Sequence, residues 1–551
     1  MVRIAKSITK SNGIALIITM IILAIIAAFA LTLAAVSSTN LQVIQNNHNT
    51  DSALCAAQSG IEFVKYLAAD VNTKSTPSNG IDIIDACDTW NSLCLHLQNC
   101  NYGGVTINYA DSTKITTNPI NFGSDANFAL QFSRGAEPNK IIVCSTGADG
   151  IMTRTIEMKL QITKKADVLQ YSIASQARMW LTGNSTVHGN VYSSWKYQNI
   201  SPFNMTSDSK VEGTISTILS NINPSTGQSG PDLYAGTTKM PYHLETLGAN
   251  GNPVYDDQGN KVISPGDEIQ GQCQGIYYGV NYGNKAADMP GMAISDYNTS
   301  QYKSQTTTLS TTGIPTVTEY FPHAAGNYSQ PSSSGSQKLT RYEYQNQTFT
   351  NKMVSASSIS HSVLKGTFFK NCTFNGILYL DCGTTGGTYN NVRFENCVFN
   401  GPIITNTPNY SNSTNWWMRN CLYFTGEETF QNQTTVPATI LAPNFNVNLG
   451  NTNPNSGENN VLTGAIVGGI VDIRGNAEIY GTVISMYDTS GYSSGYVSNI
   501  GATLNDGGSE TTEPGDVGVI NITPDPSKLL PSGITSPIAI KPLQNTYREI
   551  H

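Results

Sequence analysis

The side chains that could perform catalytic or metal chemistry are scattered along the 551-residue chain. No two of the seven histidines have helical or zinc-ligand spacing, and the sequence contains no Cys-x-x-Cys, phosphate-binding loop, dinucleotide fingerprint or Gly-x-Ser-x-Gly. Asp381 and Glu395 read as single solvated charges, and Asp256 to Asn260 as a hairpin turn instead of a calcium loop. We therefore expect no metal site, no cofactor and no enzyme activity.

Two adjacent tryptophans form the clearest ligand-binding pattern. Trp416 and Trp417 follow the polar segment Asn412 to Asn415. Exposed aromatic rings can hold sugar rings while neighbouring amides and hydroxyls bind the sugar hydroxyls. This pair is a candidate contact for a glycan or another surface ligand, and packing in the core is the alternative.

Four of the ten cysteines cluster in the first third of the chain. In an oxidising compartment such a cluster favours disulfides, and we expect pairing among Cys87, Cys94, Cys100 and Cys144. Spacing alone does not assign the connectivity, and small buried core residues are the alternative.

The N-terminal region must position everything that follows. The run from Ile14 to Val36 has no charged residue and only two threonines as polar side chains, which is long enough to span a bilayer as a helix. Three basic residues precede it, namely Arg3, Lys6 and Lys10. They predict a cytoplasmic N-terminus with the rest of the chain outside. Amphipathic spacing then continues the helix, so one helix is predicted over 14–69. A cleaved secretory signal and an uncleaved single-pass anchor are alternatives.

Lys10-Ser11-Asn12-Gly13, followed directly by the apolar run, resembles a type III prepilin leader. Ser38 to Gln42 and Ala53 to Glu62 resemble the corresponding stretches of PilX-type minor pilins. The resemblance implies that a prepilin peptidase cuts between Gly13 and Ile14, so that residues 1–13 are the leader. It also implies that the helix serves first as a membrane anchor and then as filament core, with other pilins and the pilus assembly machinery as partners.

One position departs from the major-pilin pattern. Major pilins carry glutamate as the fifth mature residue, where this chain has Ile18. PilX-type and K-type minor pilins also lack that glutamate. A buried carboxylate without a partner is costly, so its absence suits a subunit at a filament tip.

Residues 70–165 carry the pattern of a small pilin-like β domain. A short helix is predicted within 81–100, followed by strands near 105–109, 128–132 and 141–143. Strict alternation of apolar and polar residues predicts a further strand at 154–162, joined to its neighbour by a hairpin turn at 146–150.

Internal repeats decide the fold of the remaining chain. Phe369-Lys-Asn-Cys-Thr-Phe-Asn-Gly376 recurs 25 residues later as Phe394-Glu-Asn-Cys-Val-Phe-Asn-Gly401, and Arg419 to Tyr423 repeats the middle of the motif. We expect each cysteine, and the aromatic residue two positions on, to point inward. The preceding asparagines are expected at turns. A right-handed parallel β-helix is predicted, with a square pentapeptide-type coil as the competitor.

A second sequence repeat sets the predicted extent of this β-helix. Gly183 to Val191 parallels Gly475 to Val483, so the head is placed at 166–500. Insertions are predicted near 223–265, as loops or a side hairpin, and near 301–337, as a polar loop of low complexity. Residues 501–551 are predicted to hold one strand, at 517–522, and then to run as an extended, proline-containing tail.

Composition agrees with a mainly β, extracellular chain. Charged residues are 12%, and the net charge of −8 comes without a basic stripe, so nucleic acid is not an expected partner. The resemblance implies a minor pilin or pseudopilin of a type IV pilus-like filament, with the head displayed for tip formation, assembly or adhesion. Such a protein would begin in the bacterial inner membrane and end in a cell-surface filament. The alternative is a membrane-anchored β-helix carbohydrate-active enzyme or a bitopic surface protein.

Overall fold

Strands make up most of the secondary structure, and one long helix lies at the N-terminal end, in a computed structural model of the chain. The structure describes residues 11–71, 73–78, 80–100, 105–122, 126–181, 184–196, 203–205, 209–239, 257, 278–284, 289, 291–321, 337–358, 364–383, 388–407, 420–431, 438–449, 459–473, 476–486, 497–500, 519–525 and 530–550. The chain divides into two units. Unit 1 comprises Met1–Thr73, Ala86–Thr163 and Ala539–His551, and unit 2 comprises Lys74–Asp85 and Lys164–Ile538.

Helix α1 spans Ser11–Asp70, which confirms the helix predicted over 14–69. Its first half is exposed, whereas its second half buries one face against the sheet of unit 1. The buried positions include Ala53, Ala57, Ile61 and Val64, spaced three or four apart as an amphipathic helix requires. A second helix, α2, spans Ile83–Gln98, as predicted within 81–100.

The sheet of unit 1 is antiparallel, as predicted. Its strands in chain order are β1 (Ile107–Ala110), β2 (Lys114–Thr117), β3 (Ile120–Phe122), β4 (Ala126–Arg134), β5 (Lys140–Asp149) and β6 (Met152–Lys164), completed by Ile538–Pro542 and Arg548–Ile550 beside β6. The strand β5 runs as far as Asp149, so the hairpin to β6 turns at Gly150, with φ +59°, instead of over the whole predicted span 146–150. Alternate residues of β4 and β5 are buried under α1.

Two glycines let α1 lie close to this sheet. A Cβ added at Gly147 on β5 would overlap the carbonyl oxygen of Ala53 and the amide nitrogen of Ala57. A Cβ added at Gly60 on α1 would lie 2.9 Å from Cδ2 of Phe128. The close approach therefore depends on glycine on both surfaces.

Unit 2 is dominated by one sheet of 26 strands. These strands are Tyr171–Ser175, Arg178–Leu181, Asn184–Val187, Asn190–Ser193, Phe203–Met205, Lys210–Val211, Ile215–Thr217, Val280–Asn281, Thr307–Thr308, Thr316–Phe321, Gln337–Gln345, Thr348–Val354, Leu364–Lys370, Thr373–Leu380, Asn391–Glu395, Val398–Asn400, Ile403–Thr405, Cys421–Thr425, Thr429–Phe430, Ala438–Leu449, Asn460–Thr463, Ala465–Ile473, Ala477–Tyr480, Val483–Ser485, Val497–Ile500 and Val519–Thr523. Every pairing described within it is parallel, except that of Thr316–Phe321 with Gln337–Gln345. We call this set of strands the parallel stack.

Side chains that repeat in the sequence lie directly above one another in the stack. Phe369 pairs in register with Phe394, and Phe374 with Phe399, so the 25-residue repeat equals one step of the pairing. Both cysteines that precede the second aromatic residue, Cys372 and Cys397, are fully buried with the rings in one apolar core. The inward direction predicted for these side chains is confirmed.

Asparagine supplies turns that link neighbouring strands. Asn371 and Asn396, which precede the two cysteines, have φ of +51° and +52°, a conformation that asparagine tolerates better than most residues. The Oδ1 atom of Asn396 also accepts a hydrogen bond from the amide of Glu427, 3.0 Å away. Oδ1 of Asn420 accepts a hydrogen bond from the amide of Asn390 at 3.0 Å. The turn prediction is therefore confirmed for Asn371 and Asn396.

The third copy of the repeat is out of register with the prediction. Cys421 pairs with Asn391 instead of Cys397, and the ladder of rings continues through Phe424, which pairs with Phe394 30 residues earlier. Stacked rings decide this register, because an aromatic side chain buries far more apolar area than a thiol. The short sequence match at 419–423 was therefore misleading.

The regions predicted as insertions are partly ordered into sheets. Near 223–265, Ser229–Ala235 pairs antiparallel with Ser220–Ile222 and with Thr238–Lys239, a small side sheet. Near 301–337, the strands Thr307–Thr308 and Thr316–Phe321 both pair into the parallel stack. The prediction of a polar loop is therefore wrong for Thr307–Thr308 and Thr316–Phe321.

The strand predicted at 517–522 is confirmed as Val519–Thr523, but the described residues after it also form strands and are not a simple extended tail. Val519–Thr523 pairs in parallel with Ala477–Tyr480 on one side and with Asn184–Val187 on the other. Ile538–Pro542 and Arg548–Ile550 then add to the sheet of unit 1. The alternating burial of Ile520 and Ile522, and of Ile538 and Ile540, explains why these residues form strands despite the surrounding prolines.

Candidate functional site

The exposed half of α1 is the feature of the molecule with the clearest functional chemistry. Its most apolar 18-residue window has a mean hydropathy of 3.1 and no residue buried within the structure. The apolar side chains project in every direction around the helix, with Ile14 63% exposed and Phe29 66% exposed. A helix that is apolar all round needs an apolar environment, which a bilayer or a bundle of similar helices supplies.

Polar groups within this apolar run are satisfied by the helix itself. The hydroxyl of Thr32 donates to the carbonyl oxygens of Ala28 at 3.1 Å and Phe29 at 2.9 Å, and Thr19 donates to the carbonyl of Ala15. In hydrocarbon each unsatisfied polar group costs several kcal/mol. The two threonines are therefore compatible with immersion in lipid.

A second exposed stretch of α1 separates the apolar run from unit 1. From Ser37 to Thr50 there is no Asp, Glu, Lys or Arg, and the first acidic residue of the helix is Asp51. Leu41, Val43 and Ile44 are each more than half exposed here. The exposed part of α1 is therefore uncharged over its whole length, although only its first part is strongly apolar.

The predicted processing residues lie at the beginning of this helix. Gly13 is exposed, and no heavy atom lies within 4 Å of a Cβ built on it. Ile14 and Ile18 follow on the same apolar helix, with Ile18 51% exposed. Neither Gly13 nor Ile18 has a packing role in the described structure. The basic residues before them lie outside the described residues.

The four cysteines predicted to form disulfides are all free thiols. Cys87 and Cys94 are seven residues apart on α2, so their Cα atoms are about 10.5 Å apart, beyond the roughly 7 Å that a disulfide can bridge. Nη1 of Arg134 donates to Sγ of Cys87 at 3.4 Å, which places Cys87 on the α1 side of the sheet. Cys144 projects from the opposite face of β5, between the buried positions 143 and 145.

Ionisation of these thiols is suppressed where they are partly covered. Burial raises the pKa of the Cys94 thiol, and burial together with the nearby Glu157 carboxylate raises the pKa of Cys144. Because the thiolate is the reactive form, both groups are poorer nucleophiles than a free cysteine.

The best-connected carboxylates of unit 2 are held by arginine. Nε of the fully buried Arg341 lies 2.6 Å from Oε2 of Glu319, whose other oxygen contacts Arg393. Burial alone would raise the pKa of Glu319, but the two guanidinium charges and their hydrogen bonds outweigh it and lower the pKa. Arg393 also pairs with Glu395 at 2.7 Å, and Asp381 pairs with Lys303 at 2.7 Å. The prediction that Glu395 and Asp381 are simply solvated is therefore wrong.

A buried carboxyl group was missed by sequence reasoning. Glu428 is 1% exposed, its Oε2 accepts from the amide of Cys397 at 2.7 Å, and its Oε1 has no partner among the described residues. Burial raises its pKa well above the usual range, which favours the protonated, neutral form. Glu427-Glu428 gave no signal in the sequence, because only the turn geometry distinguishes the buried residue from its exposed neighbour.

The predicted ligand contacts Trp416 and Trp417 lie outside the described residues. No group of three or more His, Cys, Asp or Glu side chains suited to a metal ion occurs in the part of the chain that the structure describes.

Comparison with known proteins does not assign a family. No protein-family model and no curated protein sequence matches the chain. Among solved structures, the competence-associated pilin ComZ from Thermus thermophilus aligns with 12% sequence identity and a TM-score of 0.30. The alignment covers 91% of this chain and 98% of that one. At that TM-score the likeness carries no conclusion about this chain.

Proposed function

We propose that the protein is a minor pilin or pseudopilin of a type IV pilus-like filament. In this proposal prepilin peptidase removes residues 1–13, and the mature helix is held first by the inner membrane and then by the helices of other pilins. Unit 2 is the head, displayed at the cell surface for tip formation, assembly or adhesion. The isoleucine at position 18, where major pilins carry glutamate, suits a subunit at the filament tip.

The observation that carries the proposal is the division of α1 into two halves. Its uncharged first half is exposed, and its second half is packed on an antiparallel sheet by Ala53, Ala57 and Ile61. A signal sequence that is cleaved away would not need to continue, unbroken, into the core of a folded unit. The continuous helix favours a single rod that both anchors the protein and carries its folded part.

We further propose that the head is a right-handed parallel β-helix. The support is the parallel register that repeats at 25 residues through Phe369 and Phe394, and at 30 residues through Phe394 and Phe424. The head is proposed to be non-enzymatic, because the carboxylates of Glu319 and Glu395 are held by arginine and are not free to act as an acid–base pair.

Mass spectrometry of the mature N-terminus tests the proposed processing. Co-expression with a prepilin peptidase should give a chain that begins at Ile14, and Gly13→Val should block its formation. Because nothing lies within 4 Å of a Cβ at Gly13, this substitution leaves the folded structure intact. Ser37→Ala, on the exposed helix beyond the apolar run, is the control and should be processed normally.

Surface display provides the second measurement. The processed protein should be found in filaments sheared from the cell, and the Gly13→Val variant should stay in the membrane fraction. A wild-type chain that retains Met1, or one that begins near Ser37, would show that the protein is an anchored or secreted molecule instead. Unchanged display in cells that lack the pilus assembly machinery would lead to the same conclusion.

A further inference from the structure

One outward face of the parallel stack carries an uncharged array of side chains. It lies on five neighbouring strands, over the inward-facing aromatic residues. The first rank of this array consists of in-register neighbours: Thr348, Thr373, Val398, Thr429 and Val461. Neighbouring strands are about 4.8 Å apart, so the same position is presented repeatedly along the stack. We call this array, with the second rank described next, the neutral face.

The second rank lies two residues further along the same strands. Thr350, Asn375 and Asn400 are in-register neighbours. Nδ2 of Asn400 donates to Oδ1 of Asn375 at 2.8 Å, so the amides form a ladder. The hydroxyls of Thr348, Thr350, Thr373 and Thr429 have no hydrogen-bond partner among the described residues, and each remains free to donate and accept.

Stacked rings directly beneath make this face rigid. Phe374 lies between Phe349 and Phe399, with ring centroids 5.4 and 5.1 Å apart and interplanar angles of 24° and 5°. Phe399 stacks in turn on Phe430 at 4.9 Å. Since the polar groups above are fixed by this packing, a ligand would lose little free energy in ordering them.

The charge pattern limits the ligand. Neither rank contains a charged residue, and the first charge along the first rank is Glu478, which pairs with Val461 at the end of the array. A polyanion would need basic side chains here, and a polycation would need acidic ones. A neutral polymer with repeated hydroxyl groups matches repeated hydroxyls and amides, and its C–H surfaces match the threonine methyls and the valines.

We propose that the neutral face binds an uncharged, extended polysaccharide that lies across the strands. This proposal rests on the adhesive role of the head proposed above and gives that role a ligand class. It places the contact on the stack itself, at residues distinct from Trp416 and Trp417. The aromatic core supports the face from beneath, and the threonines and asparagines make the contacts.

Sedimentation with insoluble cellulose, a neutral glucan, tests this proposal on the purified full-length protein in detergent. The protein should pellet with cellulose and stay in solution with pectate, a polyanion. Thr373→Lys and Thr373→Glu should each weaken binding about tenfold, which corresponds to about 1.4 kcal/mol. Both signs of charge should weaken it, because a neutral ligand leaves either buried charge unpaired.

Thr318→Lys and Thr318→Glu are the matched controls. Thr318 is an exposed threonine on the antiparallel strand Thr316–Phe321, outside the neutral face, and these variants should bind as the wild type does. Failure of the wild type to bind cellulose, or equal binding by all variants, would overturn the proposal. The proposal would also be overturned if Thr373→Lys bound pectate more strongly than the wild type does and still bound cellulose as well as the wild type does.

A concentration-dependent dimer that Thr373→Lys and Thr373→Glu both dissociate, without any cellulose binding, would assign the face to a second copy of this chain. The assay uses purified protein and does not depend on filaments. Absence from sheared filaments therefore refutes the pilin proposal alone, and absence from the cellulose pellet refutes this one alone.

Discussion

Replacement of Phe374 by alanine tests how strongly unit 2 depends on its internal column of rings. The Phe374 ring stacks on Phe349 and Phe399 and meets the edges of Phe369 and Phe394, with centroid distances from 5.0 to 5.9 Å. The side chain is 2% exposed. Removal of the ring would therefore leave a cavity in the middle of the column.

The expected loss can be worked out by comparison with a second ring in the same column. Among the described residues, the Phe430 ring contacts two other rings, Phe399 at 4.9 Å and Phe424 at 5.9 Å. A core Phe→Ala substitution costs about 3–5 kcal/mol, and each aromatic pair contributes roughly 0.5–1.5 kcal/mol beyond its buried area. Phe374→Ala removes two more pairs than Phe430→Ala, so it should cost about 1–3 kcal/mol more.

Hydrogen exchange on the full-length protein in detergent is the suitable assay, because a chain of two units and many repeats need not unfold in one step. The free energy of opening at the amides of Thr373–Leu380 should fall more for Phe374→Ala than for Phe430→Ala. Thr373→Ala changes the half-buried, outward-facing neighbour and should stay within about 0.5 kcal/mol of the wild type. Equal losses for the two phenylalanine variants would refute the argument that the stacked rings stabilise the column.

Three further predictions concern other parts of the molecule. Gly147→Ala should destabilise unit 1 by about 1–3 kcal/mol or more, measured as lost amide protection on α1 and β5, whereas Gly230→Ala, where nothing lies within 4 Å of the new Cβ, should leave that protection unchanged. Glu428→Gln should raise the melting temperature relative to the wild type, and the difference should increase from pH 5 to pH 8. The reason is that the raised pKa of Glu428 stabilises the fold most at low pH, and that stabilisation is lost as the pH rises towards the folded-state pKa. Non-reducing peptide mapping of protein from the periplasm should find no disulfide between Cys87 and Cys94 or between Cys87 and Cys144; either bond would show that the helix or sheet geometry described above is wrong.

The long helix and the first sheet were predictable because each follows from a local pattern. The uncharged run after Gly13 and the three-or-four spacing from Ala53 onward fix α1 to within a few residues of 14–69. Strict alternation at 154–162 predicts β6 in the same way. Local periodicity is reliable here because each element buries a single face.

Local patterns could not predict that the cysteines are unpaired or which charged residues are buried. The number of cysteines predicts disulfides. The structure argues against them because Cys87 and Cys94 are seven residues apart on α2, and because Cys144 lies on the face of β5 that points away from Cys87. Arg341 and Glu319 are 22 residues apart and lie in polar sequence, so nothing marked them as a buried pair. These features depend on which strands become neighbours, and that is decided by the whole stack.

The strand order of the parallel stack explains one sequence repeat. Its two copies are far apart along the chain but close together in the structure. The echo between 183–191 and 475–483 suggested opposite ends of one structure, as the first and last turns of a simple coil would be. In the stack, Val187 pairs with Ile522, and Ile522 pairs with Ile479, so the echoed positions are only two steps apart. Likewise Ile173 lies between Val191 and Val483. Strands from the beginning of unit 2 therefore pair with strands from its end. Equivalent positions carry similar side chains because they belong to one continuous apolar column.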